Sequence, residues 1–204
     1  MNDATQAWLP LLVITGLAAM AFLLRTRFGG REEADAIRLH ASRHGRRFIT
    51  PDEGGPSVRF DAGEHEGEAR FRNGKRRFRL GRHVRVRIPL DIPDDVRLRI
   101  VPPMGGGGRG HRFTVYPASV SSHSLLQKDQ YDVHATSDAM LTAALADGTA
   151  AFLARHHPGV WLEIKNGRVE VRLAGEVNDH LVGRAIDLAI GVHTRVRGIS
   201  NNIA

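Results

Sequence analysis

The densest chemical signal in the chain lies between Arg70 and Arg87. Arg70, Arg72, Lys75, Arg76, Arg77, Arg79, Arg82, Arg85 and Arg87 put nine cations and no acid into eighteen residues. Such a field needs anions close by, and acidic headgroups, an acidic protein surface or nucleic acid can supply them. Readers of nucleic acid add aromatic rings that stack on bases. Here Phe71 and Phe78 alternate with arginines, which is the pattern of a hairpin with one buried face. No helix-turn-helix spacing or RRM-like aromatic motif accompanies them. Nucleic acid is therefore an unlikely partner. The expected contact face is Arg70, Arg72, Lys75, Arg77, Arg79, Arg82, Arg85 and Arg87, offset in part by Asp61, Glu64, Glu66 and Glu68.

Histidine, at eleven residues, is the other reactive type present in quantity. His40 and His44 stand four apart, the spacing of two metal ligands on one helix face. A third ligand and a His-Glu-x-x-His pattern are both missing, so no metal is expected. Ser121, His123 and Asp129 can be arranged as a hydrolytic triad on paper. No G-x-S-x-G elbow between a strand and a helix supports that arrangement. Gly105–Gly108 with Gly110 is not a phosphate loop, because no Gly-Lys-Ser/Thr follows it. Cysteine is absent, which excludes a disulfide framework, a thiolate metal site and a cysteine nucleophile. The expectation is no catalytic residue, no metal and no cofactor.

These groups must be positioned by the rest of a 204-residue chain that carries 29 Lys+Arg against 22 Asp+Glu, for a formal charge of +7. Its 42% hydrophobic content is enough for a packed domain. From Ala7 to Leu24 eighteen residues carry no charge, and as a helix they would span about 27 Å, close to a bilayer core. Arginines follow the run instead of preceding it, which argues for an anchor over a cleaved leader. The expected orientation places the amino terminus outside and the larger part in the cytoplasm, at a bacterial inner membrane. Trp8, Thr15, Gly16, Ala19, Arg25 and Arg27 are the expected anchor contacts, with the small residues admitting a neighbouring helix.

Residues 29–50 read as a juxtamembrane helix and linker, with Glu32, Glu33 and Asp35 in its first turn and Gly45 as C-cap. Residues 51–198 read as one α+β domain. Val58/Phe60, Val84/Val86/Ile88 and Leu98/Ile100 alternate with arginines, so a mainly antiparallel sheet is expected with one apolar and one arginine-rich face. Asn73-Gly74 predicts a hairpin between 70–72 and 77–80. A second hairpin is predicted around Asn166-Gly167. Its register opposes Val160 to Leu173, Leu162 to Val171, Ile164 to Val169, Trp161 to Arg172 and Glu163 to Glu170. The Glu163–Glu170 pair reads as neutralised by Arg168, Arg172 and Lys165, not as a cation site. Helices are expected over 138–145, 147–156 and 179–196, with a tail at 199–204.

The stretches YDVHATSDAM, WLEIKNGRVEVRLAG and RAIDLAIGVHTRV, with the layout of the amino terminus, resemble uncharacterised bacterial single-pass membrane proteins with a C-terminal cytoplasmic α+β domain. That resemblance covers roughly residues 88 onward and implies an anchored domain without an assigned activity. The combined expectation is a non-enzymatic accessory subunit that docks on a larger integral-membrane protein complex, respiratory or photosynthetic for example, and on anionic lipid headgroups. The alternative is a ligand-binding, signalling or enzymatic domain with its site in the 105–130 loops.

Overall fold

The structure, a computed structural model, describes residues 13–17, 19–20, 31–50, 56–73, 81–93, 95–102 and 131–200. Eight strands form one fully antiparallel sheet in the order β1-β2-β3-β4-β8-β7-β5-β6. They are β1 (Arg47–Ile49), β2 (Ser57–Ala62), β3 (His65–Asn73), β4 (Arg82–Pro89), β5 (Leu98–Val101), β6 (Asp132–Ala135), β7 (Val160–Ile164) and β8 (Arg168–Ala174). The helices are α1 (31–43), α2 (Asp138–Leu145), α3 (Thr149–Arg155) and α4 (Asp179–Ser200). The α+β expectation holds.

Side-chain alternation decides which face packs. Val84, Val86 and Ile88 on β4 lie opposite Leu173, Val171 and Val169 on β8, which in turn lie opposite Val160, Leu162 and Ile164 on β7. All nine are 0% exposed and belong to one core. Against this face lies α4, whose Val182, Ala185, Ile186, Ala189, Val192 and Val196 repeat at helical spacing and are buried with it. Each such Val, Leu or Ile contributes about 1.5–3 kcal/mol by leaving water. Phe60 lies over Gly67, its partner across β2–β3, and a Cβ at Gly67 would collide with the ring.

Local chemistry sets the ends of the elements. The β7–β8 turn uses Asn166 and Gly167 at φ +51° and +62°, with Lys165 N–H donating to the Arg168 carbonyl at 3.1 Å. Two successive positive φ values are what a two-residue hairpin turn demands. The predicted register of this hairpin is reproduced pair for pair. Ser137 Oγ caps α2 by accepting from Met140 N–H. Gly45 takes φ +61° just past α1.

Four expectations are corrected. Among the described residues no helix is long and apolar enough to cross a membrane. The single transmembrane helix is therefore withdrawn; of the 7–24 segment, 13–17 and 19–20 are described and helical, and the rest lies outside the described residues. Second, residues 31–50 hold the expected helix, but they pack into the domain and do not stand apart from it. Ala36, Ile37 and Ala41 of α1 enter the common core and β1 adds a strand to the sheet, because α1 turns a short apolar stripe inward. Third, the strand that pairs with β3 begins at Arg82, with Asn73 opposite Arg82; the predicted turn partners 77–80 lie outside the described residues. Fourth, α4 continues through Gly198 to Ser200, so 199 and 200 are helical and not tail.

Candidate functional site: the outer face of the sheet

Opposite the helices, the alternate residues of the strands form a charged face arranged in cross-strand rows. One row runs Arg70–Arg85–Arg172–Trp161 across β3, β4, β8 and β7. The next runs Glu68–Arg87–Glu170–Glu163–Arg99–His134, from β3 to β6. The sheet thus stacks a basic row against a row that holds the acids.

The acids sit deep. Glu170 is 3% exposed and Glu163 5%. Arg87 Nε donates to Glu170 Oε2 at 2.7 Å, and Arg172 Nε donates to Oε1 at 2.7 Å. Burial alone would raise the Glu170 pKa, but Arg172 and Arg87 more than reverse this and hold it below the usual carboxylate range. Glu163 accepts from Lys165 Nζ at 3.0 Å and from Arg172 at 3.3 Å, with Arg99 Nε 3.2 Å from its other oxygen. The like-charged pair is therefore neutralised, as the sequence suggests, although Arg87 and Arg99 from neighbouring strands take the part expected of Arg168. Arg172 also lies over the Trp161 ring at 5.0 Å from its centroid. Trp161 itself is buried, beside Val101 and Ala174.

The β3–β4 half of the face is balanced differently. Arg70 pairs with Glu68 on its own strand, and Arg59 with Glu66 at 2.9 Å. Among the described residues, Arg72 and Arg85 have no carboxylate within ion-pair distance, and the Nε of each is buried without a hydrogen-bond acceptor. Burial, with Arg87, Arg72 and Arg172 nearby, pushes the Arg85 pKa down to about 10, against a smaller opposing pull from Glu170. Its guanidinium sits in a positive field and, among the described residues, has no carboxylate in ion-pair contact.

Of the eight expected basic-face residues, Arg70, Arg72, Arg85 and Arg87 share this surface. Arg82 does not. Its position alternates to the other side, where it reaches Glu32 at 3.0 Å and Glu33 at 3.3 Å on α1. Lys75, Arg77 and Arg79 lie outside the described residues, as do Trp8, Arg25 and Arg27, the Ser121, His123 and Asp129 set, and the 105–130 loops. Thr15, Gly16 and Ala19 are helical and exposed, and a Cβ at Gly16 would meet nothing within 4 Å.

His40 and His44 do approach each other, with ring centroids 4.5 Å apart. They are no ligand pair, because Arg46 Nη1 lies 2.7 Å from His40 Nε2 and a guanidinium can only donate. Burial, then Arg46 and His44, push the His40 pKa down to about 4 and keep the ring neutral. Among the described residues, no group of three His, Asp or Glu side chains is placed to hold a metal ion.

Sequence reasoning missed a cavity of about 560 Å³ at the other end of the face. Arg97, Arg99, His134, Thr136, Glu163 and Lys165 are among its lining residues. The Arg97/Arg99 alternation was visible, but the insertion of β5 between β7 and β6 rests on long-range pairing with no local sign.

No protein-family model and no curated protein matches the chain. Among solved structures, the crystal structure of the mycobacterial trehalose monomycolate transport factor A, TtfA, shares its fold. The TM-score is 0.55 at 9% sequence identity, over 82% of this chain and 96% of that one. At that identity the likeness concerns the fold alone.

Proposed function

We propose that this protein is a non-enzymatic accessory factor of a bacterial membrane-associated transport assembly, and that the outer face of its sheet docks on anionic lipid headgroups. The observation that carries the proposal is the pair Arg72 and Arg85, two guanidiniums of the β3–β4 face that have no carboxylate in ion-pair contact among the described residues. A charge without such a partner is available to an external anion. An anionic leaflet offers a whole plane of them, at about 1 kcal/mol per basic residue near the surface.

A further feature supports this reading. Val13, Ile14, Leu17 and Met20 are helical and 54–67% exposed, an apolar stripe at i, i+1, i+4 and i+7 that lipid or a partner would remove from water. The contact proposed is with a membrane surface and requires no crossing. TtfA is by name a transport factor, and the same role is carried over here as part of the proposal.

Vesicle co-sedimentation tests the proposal. The full chain should bind phosphatidylglycerol-containing vesicles at physiological salt and release at about 1 M, where screening reaches a few ångströms. Purely zwitterionic vesicles should bind far less. Replacing Arg72 and Arg85 together by Gln should weaken binding about 30-fold, the equivalent of about 2 kcal/mol. Unchanged affinity in the double variant, or equal binding to zwitterionic vesicles, would overturn it.

A further inference from the structure

We infer that the cavity between β5, β6 and β7 is a binding site for a phosphate ester of a small organic molecule, held by Arg97 and Lys165 with Arg99 behind them. This site is distinct from the Arg72–Arg85 surface, which lies on β3 and β4, and it does not depend on the docking reading.

Size is the first argument. A volume of about 560 Å³ falls within the range of small-molecule sites, about 300–1,000 Å³. It is far more space than a bare inorganic anion fills, so the ligand has an organic body as well as a charge. Leu98, Ala135 and Ile164 supply apolar wall for that body, and Thr136 a hydroxyl at the rim.

Charge is the second. The wall holds two acids, exposed Asp95 and buried Glu163, and Glu163 is already shared by Arg99 on Oε1 and by Lys165 and Arg172 on Oε2, Arg172 being paired with Glu170 as well. Lys165 thus holds only a share of one carboxylate. The Lys165 ammonium, its side chain 42% exposed, therefore has two N–H donors left to turn toward a ligand. Arg97 has no carboxylate partner among the described residues and is exposed at the cavity mouth. Its backbone is held in place by Thr136, whose N–H donates to the Arg97 carbonyl at 2.9 Å while Thr136 Oγ1 accepts from Arg97 N–H at 2.9 Å. The guanidinium thus projects from a fixed base. The field is positive at His134 as well, where burial and then Arg99 lower the imidazole pKa.

The donor count selects the anion. A guanidinium and an ammonium facing one cavity offer several N–H donors and two positive charges. They suit a phosphoryl group, which offers three oxygens and up to two charges. Such a phosphate can arrive on a soluble metabolite or on a lipid headgroup, and the test separates the two.

Titration calorimetry of the full chain with glycerol 3-phosphate, with glycerol as neutral control, reads the soluble source. Vesicles of phosphatidylglycerol read the headgroup source. Saturable binding of glycerol 3-phosphate and none of glycerol is expected, weakened at least tenfold in Arg97→Gln/Lys165→Gln. Both residues are exposed, so the fold should survive, and an unchanged melting temperature verifies that. The Arg72→Gln/Arg85→Gln variant should keep glycerol 3-phosphate binding while losing vesicle docking, so either proposal can fail without the other. If only vesicles bind, and the Arg97/Lys165 variant loses that binding tenfold, the headgroup is the source and the site stands. If neither probe responds to the Arg97/Lys165 variant, the site is refuted.

Discussion

On β8 and in the β7–β8 turn, Arg172 and Lys165 are tied to Glu163 or Glu170, whereas on β3 and β4 Arg72 and Arg85 sit on the same face with no carboxylate in ion-pair contact among the described residues. Both halves are built from alternating strands, and both bury their apolar residues under the helices. The difference lies in where the carboxylates fall. Glu163 and Glu170 oppose one another across β7–β8, so one double acid organises cations from β4, β5, β8 and the β7–β8 turn. The arginines tied to that pair are structural. Arg72 and Arg85 are the ones whose charge is proposed to meet an external anion.

Removing an acid from the balanced half should give the largest effect. Glu170→Gln preserves shape but strips Arg87 and Arg172 of the buried carboxylate they share. An uncompensated buried charge costs about 3–5 kcal/mol, and solvent at the two guanidiniums cuts this to about 2–3 kcal/mol. For a domain of this size the melting temperature should fall by about 4–9 °C, as calorimetry would show. A drop of less than a degree would mean the acid pair is incidental, and the contrast between the halves would vanish.

Acid should reach the two halves in order. His83, in the arginine-dominated half, has its pKa lowered by burial, with Arg172 and Arg85 adding to that effect. His40, at about 4, is shifted further. In both cases the unfolded chain takes up a proton near pH 6.5 and the folded one does not. Their stabilisation is therefore complete above that pH and is lost as pH falls toward 4. Linkage gives up to about 3 kcal/mol for His40. Glu170, also depressed, has the same sign in a lower window: its contribution is intact above pH 4.5 and disappears below it. Melting temperatures recorded from pH 8 to 3 should fall in two stages. His40→Asn should remove most of the upper stage, and Glu170→Gln the lower. A single stage unaffected by either variant would count against this assignment.

What the sequence makes legible follows from the range of the interactions. Asn166-Gly167 and the three apolar pairs of β7–β8 lie within fourteen residues, so turn chemistry and period two suffice to read the register. The neutralised state of Glu163 and Glu170 follows from that register. The identity of their outer partners does not, because β4 and β5 reach β8 and β7 from some eighty and sixty residues away. Arg82 illustrates the same limit. Nothing near it in the sequence shows that α1 brings Glu32 and Glu33 to its side of the sheet. The apolar 7–24 run carries a signal of another kind: composition measures affinity for lipid, whereas among the described residues no helix is long and apolar enough to cross a membrane.

The smallest expected change in stability is the most informative. Arg85→Gln, alone or with Arg72→Gln, removes a cation that has no ion-pair contact among the described residues and is crowded by Arg87, Arg72 and Arg172, with Glu170 pulling the other way. Relief of like-charge repulsion offsets the lost packing of its alkyl stem. The melting temperature should therefore stay within what about 0.5 kcal/mol produces, and a slight rise is as consistent as a slight fall. Docking on anionic vesicles should drop sharply in the same variant. Stability and binding thus separate at Arg85, whereas Glu170→Gln should lower stability while removing no cation from the docking face. If Arg85→Gln instead melts as early as Glu170→Gln, both halves of the face are structural, and the external role assigned to the arginine row loses its foundation.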